Sequence, residues 1–112
     1  MNAAVSDTTA ESLRLFRSGM DIASIAAERN LNTSTVYGHL ASGIEQGEIR
    51  LADVIDINEH ELNTIQDAIL ASDGSESRLK PVYEALDGTY DYEVLRCVRA
   101  SMNLAQSVNS GS

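Results

Sequence analysis

Apolar residues recur three or four positions apart along most of this 112-residue sequence. This spacing places them on one face of a helix. It predicts three helices in the first half, over residues 8–18, 22–29 and 33–46, and three in the second half, starting near Asn58 and Leu79 and after Asp91. The apolar positions that define these faces are Leu13, Leu15, Phe16, Ile22, Ile25, Val36, Leu40, Ile44, Leu62, Ile65, Ile69, Val82, Tyr83, Leu86, Val94, Leu95, Val98 and Met102.

The ends of the first helices carry residues that commonly cap or stop a helix. Asp21 is a good N-cap, and Asn32 or Thr33 can cap the third helix. Asn30 closes the second helix, because asparagine tolerates the left-handed turn conformation. Gly47 stops the third helix. These residues predict short, tight connections between the second and third helices.

The segment from Ile22 to Ile44 has the spacing of a helix-turn-helix. Ile25 and Leu31 are expected to pack between the two helices, and Val36 and Leu40 return to the shared core, so all four should be largely buried. The turn of only three residues fixes the helices steeply to each other. An ordinary corner of two helices, unrelated to DNA binding, is the alternative interpretation.

The predicted fold is therefore all-α, a helix-turn-helix three-helix core followed by two or three further helices. One helical domain is expected over residues 8–104, between a flexible segment at 1–7 and a flexible tail at 105–112. The domain has a helix-turn-helix half, 8–50, and an acidic half, 58–104. Two segments lack a clear period: 48–57, a short helical turn or extended connector, and 72–77, the clearest loop.

The outward face of the third helix carries small neutral residues. A helical wheel points Ser34, Gly38, Ala41, Ser42 and Glu45 outward, with Tyr37 and His39 on the flanks. Residues 32–47 contain no Lys or Arg, whereas a helix that reads bases normally carries Arg, Lys, Asn or Gln. We expect this face to be covered by protein in the functional assembly, by the C-terminal half of the chain, a second copy or another domain.

Composition narrows the classes of protein that this chain can be. Hydrophobic residues make up 43% and charged residues 22%, as in a globular domain. The single cysteine cannot form an internal disulfide, and neither a signal peptide nor a membrane span is expected. The net charge of −9 weakens phosphate contacts. The charge is uneven, because residues 1–50 hold four basic and six acidic residues and residues 51–112 hold four and eleven.

Individual side chains have structural interpretations that compete with functional ones. His39 is expected to make a structural hydrogen bond, and His60 to be a solvated surface residue. Cys97, among valines on an apolar face, is expected to be a buried, inert thiol. The tyrosines Tyr83, Tyr90 and Tyr92 are expected to pack or hydrogen-bond rather than to stack on bases. The cations could form a local basic patch, but pairing with nearby acids, such as Glu11 with Arg14, is favoured; they are Arg14, Arg17, Arg29, Arg78, Lys80, Arg96 and Arg99.

Two blocks of the sequence resemble the helix-turn-helix domain at the C-terminal end of bacterial RecQ-type DNA helicases. The first block is IASIAAERNLNTSTVYGHLASGI, and the second is LKPVYEAL followed by YDYEVLR. The first block alone also resembles the output domains of LuxR-type regulators, and the second favours the RecQ-type family. The positions that fit are Ile22, Ile25, Ala26, Arg29, Leu31, Ser34, Thr35, Val36, His39, Leu40, Ile44, Gly47, Leu79, Lys80, Pro81, Tyr83, Leu86, Tyr92 and Arg96.

This resemblance implies a non-catalytic accessory domain that positions DNA or a protein within an ATP-dependent helicase of repair or recombination. It implies ATP and Mg²⁺ only in the parent's helicase domain and a cytoplasmic location near the nucleoid. The net charge of −9 and the uncharged third helix predict weak duplex binding by the isolated fragment. No phosphate-binding Gly-rich loop with Lys is present, so no ATP site is expected here. The alternatives are a LuxR-like DNA-binding domain or a protein-interaction module. Candidate contact residues are Ser34, Thr35, Tyr37, Gly38, Ala41, Ser42, Lys80 and Arg96.

Overall fold

The computed structural model describes residues 7–71 and 79–110, with side chains described up to residue 105. Every regular element in these residues is an α-helix, so the predicted fold class is confirmed. No helix in these two ranges is long and apolar enough to cross a membrane. The helices are α1 (Asp7–Arg17), α2 (Ile22–Arg29), α3 (Thr33–Glu45), α4 (Leu51–Val54), α5 (Glu59–Ala71), α6 (Lys80–Ala85) and α7 (Tyr92–Ser110).

The polar residues at the predicted helix boundaries make the expected capping contacts. The Asp21 carboxylate accepts a hydrogen bond from the backbone N–H of Ser24 at 2.8 Å, and the Asn32 side chain accepts one from Thr35 at the same distance. These bonds satisfy N–H groups that have no partner within the helix. Asn30 ends α2 in the left-handed region, with φ of 56°. The turn between α2 and α3 is therefore set by local sequence.

Helices α1, α2 and α3 surround the first of two hydrophobic cores. Ile25, Val36 and Leu40 are fully buried there, as the helix-turn-helix spacing predicted. Leu31 is only partly buried and packs at the edge of this core, because it lies in the turn rather than between the helices. These contacts confirm the helix-turn-helix.

The second core lies between α5, α6 and α7. Its buried residues are Ile65, Val82, Leu95 and Val98. The start of α5 is closed by a reciprocal pair of bonds, because the Asn58 side chain accepts from the Glu61 N–H and the Glu61 carboxylate accepts from the Asn58 N–H. The predicted loop at 72–77 lies outside the described residues.

Helix α4 is a single turn, one of the two interpretations that the sequence allowed for residues 48–57. Helices α5, α6 and α7 are then the three further helices of the prediction. Helix α7 runs to Ser110, six residues beyond Leu104, where the apolar period fades. Residues 1–6 and 111–112 lie outside the described residues, and the flexibility of the two chain ends stays a prediction.

Helix α7 contributes to both cores. Cys97 and Ala100 are buried against the helix-turn-helix core, whereas Leu95 and Val98 are buried in the second core. The most extensive packing between two helices is that of α7 with α3. The acidic half of the chain is therefore attached to the helix-turn-helix mainly through one helix.

Candidate nucleic-acid and partner interface

The outward side of α3 is not uniformly exposed, because α7 lies along one flank of it. Ala41, expected on the outward face of α3, is only 5% exposed because Ala100 and the rest of α7 cover it. The expectation that the C-terminal half of the chain covers this face is therefore confirmed at Ala41. A helical wheel drawn on α3 alone cannot show that a helix about 50 residues later packs on this flank. The small Ala41 side chain allows the two helices to approach closely.

A shallow groove of about 210 Å³ runs between α3 and α7. Gly38 and Ser42 on its α3 side are half-buried. A methyl group on Gly38 would lie 3.2 Å from Nη1 of Arg96, so the missing side chain leaves room for the guanidinium. The groove therefore has small residues on its α3 side and arginines on its α7 side. Its lining residues are Gly38, Ala41, Ser42 and Glu45 of α3 and Arg96, Arg99, Ala100 and Asn103 of α7.

The charged groups of the groove are arranged unevenly. Arg96 makes no hydrogen bond or ion pair with any residue in the described part of the chain. At the other end, the Asn103 amide donates a hydrogen bond to Oε2 of Glu45 at 3.1 Å, which links α7 to α3. Arg99 lies between these two positions on α7. The groove can thus accept an anion beside Arg96, and its acidic end is partly occupied by an amide.

The structure brings half of the predicted contact residues together. Gly38, Ala41, Ser42 and Arg96 all line the groove, although they come from distant parts of the sequence. Lys80 does not line it: it is exposed at the start of α6. Of the candidate cations, Arg96 and Arg99 line the groove from the same face of α7.

The other predicted contact residues lie on the first half of α3. Ser34 and Thr35 are exposed, and the Thr35 hydroxyl donates a hydrogen bond to the Asn32 side chain at 2.8 Å as part of the helix cap. Tyr37 is half-buried against the first core. Burial, aided by Cys97 and Glu93, raises the pKa of Tyr37, so its phenol stays protonated. Only Ser34 and Thr35 of this group face solvent freely.

Sequence reasoning did not assign Ala100 and Asn103 to the site. The signal was available, because residues 96, 99, 100 and 103 follow the i, i+3, i+4, i+7 spacing of one helix face. Arg99 was considered only as one of several cations. The pairing of this face with α3 could not be read from the sequence.

Arginines in the first half of the chain are engaged elsewhere. Arg14 pairs with Glu11, as predicted, and Arg17 pairs with Glu48. Arg50 lies 3.5 Å from Asp53. These pairs are exposed and contribute little to stability. They leave the helix-turn-helix half without a concentrated basic patch in the described residues.

A polar network joins the three helices of the first core. Nη1 of Arg29 in α2 donates to Oγ of Ser12 at 2.6 Å, and Ser12 Oγ lies 2.8 Å from Nδ1 of His39 in α3. Because Ser12 already accepts from Arg29, its hydroxyl proton is available for Nδ1 of a neutral His39. Burial and the Arg29 charge lower the pKa of His39. The expected structural hydrogen bond of His39 is confirmed.

The tyrosines and the cysteine also take their predicted structural roles. The rings of Tyr83 and Tyr92 are stacked, with centroids 4.5 Å apart and planes within 9°. The Tyr90 hydroxyl lies 3.5 Å from a Glu61 carboxylate oxygen. Cys97 is fully buried, and burial raises the pKa of its thiol to about 11. Tyr92 nevertheless remains 39% exposed, which matters for the surface of α7.

Comparison with known protein families identifies the family to which this chain belongs. The sequence matches the family described as a helix-turn-helix domain over residues 8–99, which includes all of α1 except Asp7, α2 to α6 and the first part of α7. Searches of curated proteins and of solved structures gave no match. The match covers most of the chain and agrees with the observed geometry of α1 to α3. This chain belongs to the helix-turn-helix domain family.

Proposed function

We propose that this chain is a non-catalytic accessory domain of a RecQ-like, ATP-dependent DNA helicase that acts in DNA repair or recombination. The domain would hold DNA or a partner protein in position for the helicase. Two things support this proposal: membership of the helix-turn-helix family, whose folds commonly bind DNA, and the resemblance of the LKPVYEAL segment to RecQ-type proteins. ATP and Mg²⁺ would be held by the parent's helicase domain, and this chain would contribute no chemical step.

The packing of α7 along α3 is the observation that carries the positioning role. A recognition helix enters the major groove and reads base edges with long polar side chains. Here α7 occupies one flank of α3, and the exposed residues of α3 include Ser34 and Thr35, which are short. A contact with the sugar–phosphate backbone, which fixes position without reading sequence, agrees better with this surface.

The parent protein provides the first test. We expect the reading frame upstream of Met1 to encode helicase motifs. Deleting residues 8–104 from that protein should leave DNA-stimulated ATP hydrolysis largely intact and reduce strand unwinding, because a positioning domain acts on coupling rather than on chemistry. A parent with a receiver domain in place of helicase motifs, or unwinding that is unchanged by the deletion, would refute the proposal.

Titration of the isolated chain with duplex DNA provides the second test. Ordinary DNA-binding domains bind non-specific duplexes with dissociation constants of about 10⁻⁴–10⁻⁶ M at physiological salt. With a net charge of −9 and no Lys or Arg in residues 32–47, this chain should lie at the weak end of that range or beyond. Fluorescence anisotropy with a panel of duplexes measures this directly. Sub-micromolar, sequence-selective binding would instead indicate a LuxR-like regulator.

A further inference from the structure

The solvent side of α7 carries one aligned row of side chains, which we call the α7 stripe: Tyr92, Arg96, Arg99 and Asn103. Their spacing of four, three and four residues keeps them within about 60° of one another around the helix. The opposite faces of α7 are buried in the two cores. The stripe is about 16 Å long, at 1.5 Å per residue. It borders the groove beside α3 along most of that length.

The charge of the α7 stripe is opposite to that of the chain. The sequence has a net charge of −9, yet the stripe contains two arginines and no acidic residue. Glu93, the nearest acid on α7, is half-buried, and its charge raises the pKa values of Tyr37 and Cys97. Glu45 lies at the far end of the groove and accepts a hydrogen bond from Asn103. A polyanion is therefore attracted to Arg96 and Arg99 and repelled by most of the remaining surface.

The aromatic end of the stripe adds a second kind of contact. Tyr92 stacks on Tyr83, which holds its ring in place, and it remains 39% exposed. A fixed, partly exposed ring one turn before an arginine matches the combination of stacking surface and cation that single-stranded nucleic acids use. In duplex DNA the bases are already stacked on one another and cannot use such a ring.

We propose that the α7 stripe binds single-stranded DNA, with Arg96 and Arg99 contacting phosphates and Tyr92 stacking on a base. This inference rests on the proposed function and deepens it, because it names the form of DNA that the domain holds. The neighbouring groove, lined by Gly38 and Ser42 on its α3 side, offers a concave surface beside both arginines. A helicase produces single strands, so the stripe would hold one of the products.

The salt dependence of binding tests the proposed phosphate contacts. We would titrate the whole chain with a labelled oligothymidylate of about 12 nucleotides, within the usual site size of single-strand binders, and with a duplex of equal length. Two phosphate contacts predict a slope of log K against log salt of about −1.4 for the single strand. Arg96→Gln should reduce the slope to about −0.7 and weaken binding about fourfold at 0.15 M salt. Arg50→Gln is the matched control, because Arg50 is exposed and does not line the groove.

Two substitutions of Tyr92 test the stacking contact. Tyr92→Ala should weaken single-strand binding by about 5- to 150-fold, the usual contribution of stacking one base. Tyr92→Phe keeps the aromatic ring and should bind as the unmodified chain does. Thermal unfolding followed by circular dichroism checks that both variants fold, and each affinity is measured well below the variant's melting temperature.

Any of four results would overturn the inference. The chain could bind duplex DNA as tightly as single-stranded DNA or more tightly, or it could bind a polyglutamate chain as tightly as single-stranded DNA. Arg96→Gln could have the same single-strand affinity and salt slope as Arg50→Gln, or Tyr92→Phe could lose as much affinity as Tyr92→Ala. Failure here with impaired unwinding after deletion of residues 8–104 would leave the accessory role intact and remove only the single-strand site. If the parent has no helicase motifs but the chain still binds single strands through Arg96, the single-strand site stands and the helicase role is refuted.

Discussion

Two glycines on α3 have different surroundings, although they are only five residues apart. A methyl group on Gly38 would meet Nη1 of Arg96 at 3.2 Å, the mobile end of a long side chain. A methyl group on Gly43 would lie 2.5 Å from Cδ2 of Leu13, which is 3% exposed in the first core. Gly43 therefore sets how closely α1 and α3 approach, whereas Gly38 leaves space in the groove.

Alanine substitutions at these glycines should change stability in opposite directions. Gly38→Ala should stabilise the chain by about 0.4–1 kcal/mol, because alanine restricts the unfolded state and Arg96 can move aside. Gly43→Ala should destabilise it by up to about 2 kcal/mol, since overpacking costs about 1–3 kcal/mol and the higher helix propensity of alanine returns about 1 kcal/mol of this. Urea denaturation gives both values.

A double substitution tests whether contact with Leu13 causes the loss of stability in Gly43→Ala. In a Leu13→Ala background the clashing methyl groups are absent, so Gly43→Ala should no longer destabilise the chain. If Gly43→Ala is as damaging in that background as in the native sequence, or if both glycine variants shift stability the same way, the close contact with Leu13 is not the cause.

Helices α1, α2 and α3 are joined by both apolar packing and the network of Arg29, Ser12 and His39. The Arg29 guanidinium also donates to the backbone oxygen and the hydroxyl of Thr8, at 2.7 and 3.0 Å. Arg29 of α2 therefore contacts two successive turns of α1, and Ser12 of α1 in turn bonds His39 of α3. The network needs His39 to be neutral, because a protonated ring would lie beside the Arg29 charge.

Acidification should weaken this connection between the helices. The folded chain holds the pKa of His39 below its unfolded value of about 6.5, so the unfolded chain binds more protons as the pH falls. The stabilisation is fully present above about pH 6.5 and is lost as the pH falls through the lower folded pKa. Melting temperatures between pH 8 and pH 5, compared with those of His39→Gln, measure it. His39→Gln should have a flatter profile.

The second histidine serves as the control for this pH dependence. His60 is exposed on α5 and lies outside the network. His60→Gln should keep the pH profile of the native chain. A flattened profile in His60→Gln, or an unchanged one in His39→Gln, would show that the acid sensitivity arises elsewhere.

The elements themselves could largely be predicted from sequence, because local residues determine them. Asp21 caps the start of α2, and Asn30 and Asn32 specify the α2–α3 turn, all through bonds that span four residues or fewer. The docking of α7 on α3 was only one of three coverings that the sequence left open, since it depends on complementary surfaces that are far apart in sequence, 58 residues in the case of Glu45 and Asn103. For that reason the sequence placed Ala41 on the outward face of α3 but did not identify α7 as the helix that covers it. Gly38, Ser42 and Arg96 were separate candidates, and the groove brings them together.

At the scale of the whole molecule, α7 connects two cores that otherwise share few residues. Its neighbouring positions alternate between them: Leu95 and Val98 face the second core, and Cys97 and Ala100 face the first. Neither core can lose α7 without exposing apolar side chains. The two halves of the sequence, although they differ in charge, should therefore unfold together.

Substitutions in either core should lower the stability of the entire chain. Leu40→Ala in the first core and Leu95→Ala in the second should each cost about 2–5 kcal/mol, from lost burial and the cavity that remains. Denaturation followed by circular dichroism and by tyrosine fluorescence should give one coincident transition in each variant. Separate transitions, or a shift seen by one probe only, would mean that the cores unfold independently.

Because Cys97 is buried, the rate at which its thiol is labelled should report how often α7 separates from α3. Cys97 is the chain's single cysteine, and burial raises the pKa of its thiol to about 11, so the thiol is protonated at pH 7 while it is buried. A thiol reagent can therefore react at an appreciable rate only when α7 lifts away from α3. The labelling rate reports how often this opening occurs, without any engineered probe. Slower labelling in the presence of DNA or a partner would show that the bound molecule holds the helix closed.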